Sequence, residues 1–154
     1  METTAGQRRE SARIAGMVGL VGGLLGAAID VFELMTLPTE VSMATGLRNA
    51  LGLLMLIVGL AGMAALGATG SGWWGRVGIG AVILAYIVLI VGELIEPFDP
   101  ATAAVIFETV PLVIGPGMVL AGVAVLRARR WSGWRRFVPL AMGAYTFSWS
   151  FCRW

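Results

Sequence analysis

Long apolar runs, separated by short polar turns, divide this chain into segments of similar length. A helix rises about 1.5 Å per residue, so about 20 apolar residues cross a hydrocarbon core of about 30 Å. Four stretches reach that length: 14–35, 50–68, 77–95 and 107–126. A fifth, 137–151, is shorter, but Trp134 lies before it and Trp149 and Trp154 near its end, where an aromatic belt would hold it at both interfaces. Its alternative is a helix lying in the interface. Inside lipid every backbone polar group needs a partner within the protein, which makes helices the expected form. The pattern therefore predicts an all-α, polytopic transmembrane bundle of about five spans. The expected layout is a cytoplasmic tail over 1–13 and a single membrane domain over 14–154.

Composition strengthens this reading. Of 154 residues, 58% are hydrophobic and only 13% charged, against roughly 25% charged in a soluble domain. The single cysteine, Cys152, and the absence of histidine leave no disulfide framework and no Cys/His zinc set within one chain. Every basic residue is an arginine, so a Schiff-base lysine is excluded, and a lysine-free chain rich in Ala and Gly points to a GC-rich bacterial genome.

Charge sets the orientation. Arg8, Arg9 and Arg13 precede the first stretch, Arg76 lies between the second and third, and Arg127, Arg129, Arg130, Arg135 and Arg136 separate the fourth from the fifth. Basic loops stay in the cytoplasm, which places the N-terminus inside. These segments carry only Glu2 and Glu10 as acids, whereas the opposite ends hold Arg48 and Arg153 among Asp30, Glu33, Glu40, Glu93, Glu96, Asp99 and Glu108. A cleaved signal peptide is the rival reading of the N-terminus, because Gly26-Ala27-Ala28 suits a peptidase; the apolar stretch is longer than a usual signal core, which favours a retained span.

Displacing the chain against itself by 60 residues aligns Glu33-Leu34 with Glu93-Leu94, the segment 60–68 with 120–128, and Trp74 and Arg76 with Trp134 and Arg136. This suggests a tandem two-helix repeat, its copies parallel about an axis along the membrane normal. Chance agreement between two Ala/Gly-rich helices is the alternative.

Chemistry is sparse. Gly16, Gly19, Gly23 and Gly26 follow at spacings of three or four and share one helix face with Asp30 and Glu33. Such glycines let a neighbouring helix approach closely, so the first helix is expected at the centre, its acids turned toward other helices. Glu93 lies at a similar depth on the third stretch, with Glu96 one turn higher on a nearby face, and the four carboxylates form a candidate proton or cation cluster. Alternatively they mark the hydrated ends of the spans. Gly115, Pro116 and Gly117, near the middle of the fourth stretch, are a candidate hinge, because proline deprives the Leu112 carbonyl of its helical partner; a mere packing kink is the commoner reason for such a sequence. Tyr86, Tyr145, Thr146 and Ser148 are candidates for a polar path or for interhelical hydrogen bonds. Asp99-Pro100 reads as an N-cap and first helical residue. Arg127, Arg129, Arg130, Arg135 and Arg136, with Trp131 and Trp134, suit anionic lipid headgroups.

No phosphate-cradling loop, nucleophile elbow or metal-ligation pattern is present in the sequence. No catalytic residue, cofactor or metal is therefore expected, and no nucleic-acid partner, because the basic loop is too short for a platform. The leading expectation is a multi-pass protein of a bacterial cytoplasmic membrane, non-catalytic, acting as an accessory or assembly subunit or as a homo-oligomer. The alternatives are a proton- or cation-coupled carrier or channel using the carboxylates and, more weakly, an enzyme acting on a lipid or isoprenoid.

Overall fold

The structure, a computed structural model, describes residues 42–129 and 133–152, and toward the N-terminus residues 6–7, 10, 13–14, 17–25, 28, 31 and 35. The described residues are helical apart from turns, with no strand among them. The elements are α1 (Met43–Ala65), α2 (Trp73–Ile95), α3 (Pro100–Thr109), α4 (Pro111–Ala128), a 3-10 turn (Gly133–Phe137) and α5 (Val138–Cys152). Residues 17–25 form a further helical stretch ahead of α1. Three helices among the described residues are long and apolar enough to cross a membrane: α1, α2, and α3 with α4 taken together over Pro100–Ala128.

Local chemistry explains the boundaries. Ser42, in an extended conformation, accepts a hydrogen bond from the Thr45 amide and starts α1 at Met43, ahead of the expected Ala50. Arg48 and Asn49 therefore lie within the helix rather than before it. The chain leaves α1 through Gly67 and Gly70, whose φ angles of 63° and 71° are ones that L side chains rarely adopt. Asp99 caps α3, accepting from the Thr102 amide at 3.1 Å and its hydroxyl at 2.5 Å, with Pro100 in the first turn. Between α3 and α4, Val110 keeps helical dihedrals and its carbonyl still accepts from the Ile114 amide at 3.1 Å. The interruption reflects Pro111, which has no N–H to return to the preceding turn.

Among the described residues the buried centre lies between α2 and α4, and not around the N-terminal helical stretch. Val82, Ala85 and Tyr86 of α2 meet Ile114 and Met118 of α4, joined by Val110. Leu53, Leu56, Ile57 and Leu60, the spacing of one helix face, apply α1 to this cluster. Eight of the 18 residues of α4 are buried, against three of the 23 in α1, so α4 is the central helix among the described elements. The N-terminal stretch instead packs on α1: a Cβ added at Gly19 would lie 2.7 Å from the Gly59 Cα, and one at Gly22 would strike Met55. Leu20 and Leu24 of that stretch are exposed. Helices long and apolar enough to cross a membrane can leave large hydrophobics exposed at little cost where lipid surrounds them, because lipid is as apolar as a leucine side chain.

Candidate functional site

The described bundle has two chemically different ends. At one, α1 and α2 cross so tightly that a Cβ on Gly46 would strike the carbonyl oxygen of Glu93. Asn49, one turn further along α1, donates from Nδ2 to Glu93 Oε2 at 3.1 Å, a part-buried interhelical hydrogen bond. Gly92 brings α2 against α3, where an added Cβ would lie 3.0 Å from Ile106 and Phe107 atoms. Glu93 is thus built into a three-helix junction. Glu96 is half-buried nearby and Glu108 exposed. Asp30, Glu33, Gly16, Gly26 and Arg130 lie outside the described residues.

Asp99 belongs to the same end. The Thr102 hydroxyl, then the Thr102 amide, hold its carboxyl below the ordinary aspartate range, because donors aimed at the carboxylate favour its charged form. This is a helix cap, and capping accounts for it fully.

In the middle of the bundle, Gly115, Pro116 and Gly117 lie inside α4, which continues through them. The two glycines serve different neighbours. The Gly115 carbonyl lies 3.0 Å from where a Cβ on Gly143 of α5 would be, and a Cβ on Gly117 would lie 2.7 Å from Val82 and 3.2 Å from the Gly78 carbonyl of α2. Both glycines are buried while Pro116 is exposed. The motif therefore forms the place where three helices meet. Tyr86 is buried in the apolar core, whereas Tyr145 is 68% exposed on α5. Thr146 donates to the Met142 carbonyl of its own helix at 2.9 Å, and the Ser148 side chain lies outside the described residues.

No protein-family model, curated protein or solved structure matches this chain. The assignment of function thus rests on geometry alone.

The opposite end gathers Arg76, Arg127, Arg129 and Arg136, all exposed. Arg129, with φ at 49°, ends α4 in the left-handed conformation, and Arg136 stacks over the Phe137 ring with its guanidinium carbon 4.8 Å from the centroid. Arg135 lies in the 3-10 turn between them and α5. Trp73 and Trp74 pack against each other, with centroids 4.2 Å apart. Beside Trp74 a partly open cleft of about 580 Å³ separates the turn 69–72 from the last turns of α4. Sequence reasoning identified these arginines but missed the cleft, because Thr69 and Ala124 are brought together only by the α2–α4 crossing.

Proposed function

We propose that this chain is a small multi-pass protein of a bacterial cytoplasmic membrane that works by association, as an accessory or assembly subunit or as a homo-oligomer, without catalysis of its own. Five spans are proposed: the N-terminal helical stretch, α1, α2, α3 with α4, and α5, with the arginine-bearing end in the cytoplasm. The observation that carries this reading is the placement of Glu93. Its backbone forms the α1–α2 crossing at Gly46 and its carboxylate accepts from Asn49, so the membrane-level carboxylate acts as a fastener between helices. A tandem repeat belongs to the same proposal, with α1 and α4 as corresponding helices and Gly62 and Gly122, both buried, as corresponding contacts.

Purification in a gentle detergent, followed by measurement of the particle mass, tests the reading. A stoichiometric partner or a defined multimer is expected, and a lone monomer contradicts it. The half-buried Asn49–Glu93 pair also favours a second reading, a proton or cation carrier. Purified protein in liposomes separates the two: flux that vanishes on Glu93→Gln supports transport, and leakage identical in both proteins supports association.

A further inference from the structure

We propose that the cleft at the arginine-bearing end is a binding site for one anionic phospholipid, which holds the phosphate between Arg127 and the turn 69–72 while an acyl chain lies along α4.

The walls divide by chemistry. Leu120, Val123 and Ala124, on the last turns of α4, supply an apolar floor, and Trp74 and Gly75 of α2 close one side. Arg127 stands one turn beyond Val123 on the same helix, at the rim, and Thr69, Gly70, Ser71 and Gly72 form the facing wall. Apolar surface below and a cation with hydroxyls above match the order of groups in a phospholipid, tail then phosphate.

Two independent features of the facing wall point to an anion. First, α2 begins at Trp73 with Gly72 as N-cap and no side-chain cap. The first N–H groups of a helix of 23 residues therefore point out beside the cleft, with the positive end of the helix dipole behind them. Second, Thr69 is only 6% exposed, yet its hydroxyl has no hydrogen-bond partner among the described residues. No buried side-chain polar atom among those residues is sealed off without a partner, so this hydroxyl keeps contact with open space, and Thr69 is one of the residues that line the cleft. A buried hydroxyl is seldom left unused in a folded protein, and a phosphate oxygen would satisfy it. The left-handed Gly70 bends the turn so that it lies against Ala128: a Cβ there would be 3.1 Å from the Ala128 Cβ. The cleft mouth is thereby fixed between two helices.

A free phosphate would use the same polar groups, but it would leave the Leu120–Val123–Ala124 wall without an occupant; this favours the lipid. The inference rests on the proposed location of this end at a membrane interface.

Native mass spectrometry of the full chain in a neutral detergent, titrated with phosphatidylglycerol or phosphatidylcholine, tests the site. One phosphatidylglycerol is expected to bind at least about tenfold more tightly than phosphatidylcholine. Arg127→Gln is expected to remove that preference, and Thr69→Val to weaken phosphatidylglycerol binding several-fold. Arg129→Gln, which alters an arginine outside the cleft, should leave it unchanged. Should Arg127→Gln fail to fold, Thr69→Val and Ser71→Ala carry the test, each with the same expected loss. Equal retention of the two lipids overturns the proposal, as does equal loss on Arg129→Gln, which would mean diffuse attraction to the whole arginine end. Displacement by equimolar inorganic phosphate also overturns it, because the site would then take a free anion. A chain that stays monodisperse without detergent would instead contradict the membrane location itself, separately from the cleft.

Discussion

The acidic and arginine-bearing ends of this bundle are built on opposite plans. At the acidic end two carboxylates are engaged: Glu93 accepts from Asn49, Asp99 from Thr102, and backbone meets backbone where Gly46 faces Glu93. At the other end Arg76, Arg127 and Arg129 are exposed, and Arg127 lines a cleft. In a membrane this difference follows from the solvent, because a polar group at bilayer depth must find a partner within the protein, while an arginine at the interface finds lipid headgroups and water.

The largest expected effect comes from opening the acidic end. At Gly46 the obstacle is the Glu93 backbone, which cannot rotate away. Gly46→Val should therefore destabilise the bundle by about 3 kcal/mol or more, read as a lowered unfolding midpoint in detergent. At the arginine-bearing end, a Cβ on Gly72 meets nothing within 4 Å, and Gly72→Ala should cost no more than about 1 kcal/mol, the difference between these residues at an N-cap. Equal effects at the two ends would erase the contrast between them.

Next in size is the Asn49–Glu93 pair. Interhelical hydrogen bonds in membranes contribute about 0.6 kcal/mol on average, so a double-mutant cycle with Asn49→Ala and Glu93→Ala should give a coupling near ~0.6 kcal/mol. Coupling close to zero would mean that only the backbone crossing holds these helices together.

Asp99 sharpens the contrast through pH. Its carboxyl is held lower in the folded chain than in the unfolded one, chiefly by the Thr102 hydroxyl. The stabilisation is therefore complete above the ordinary aspartate range and is lost as pH falls through the depressed value. Amide exchange over Ala101–Ala103 should accelerate in acid beyond its intrinsic pH dependence, and Asp99→Asn, which keeps a capping acceptor, should abolish that extra acceleration. A change of opposite sign is expected at Gly80, an exposed glycine in the interior of α2 with nothing within 4 Å of an added Cβ. Gly80→Ala should raise the unfolding midpoint slightly, by about 0.5–1 kcal/mol in stability.

Much of the helical layout was legible in the sequence because hydropathy reports the solvent of each segment. Residues 77–95 and 107–126 lie within α2 and the α3–α4 span, and Asp99-Pro100 marked the start of α3 as its chemistry required. Boundaries shifted where capping outweighed hydropathy. Ser42 starts α1 upstream of Arg48 and Asn49, two polar residues that a hydropathy window excludes and a helix tolerates. The central helix was not legible. Glycines at 19 and 23 suggested the N-terminal helix, but those at 115, 117 and 122 line two sides of α4, and only the three-dimensional crossing distinguishes one glycine pattern from the other. The Gly115-Pro116-Gly117 sequence is equally compatible with a hinge and a junction, and its contacts to Gly143 and Gly78 are long-range. The cleft was hidden for the same reason, since its walls are far apart in the chain.

The central claim is that this chain spans a bilayer with its arginine-bearing end in the cytoplasm. Single cysteines introduced by Ser71→Cys and Phe98→Cys in a Cys152→Ser background, expressed in a bacterial host and treated with a membrane-impermeant maleimide, test it most directly. The account predicts labelling of the position 98 cysteine in intact spheroplasts and of the position 71 cysteine only after the membrane is opened; the reverse pattern, or equal labelling of both before lysis, contradicts it.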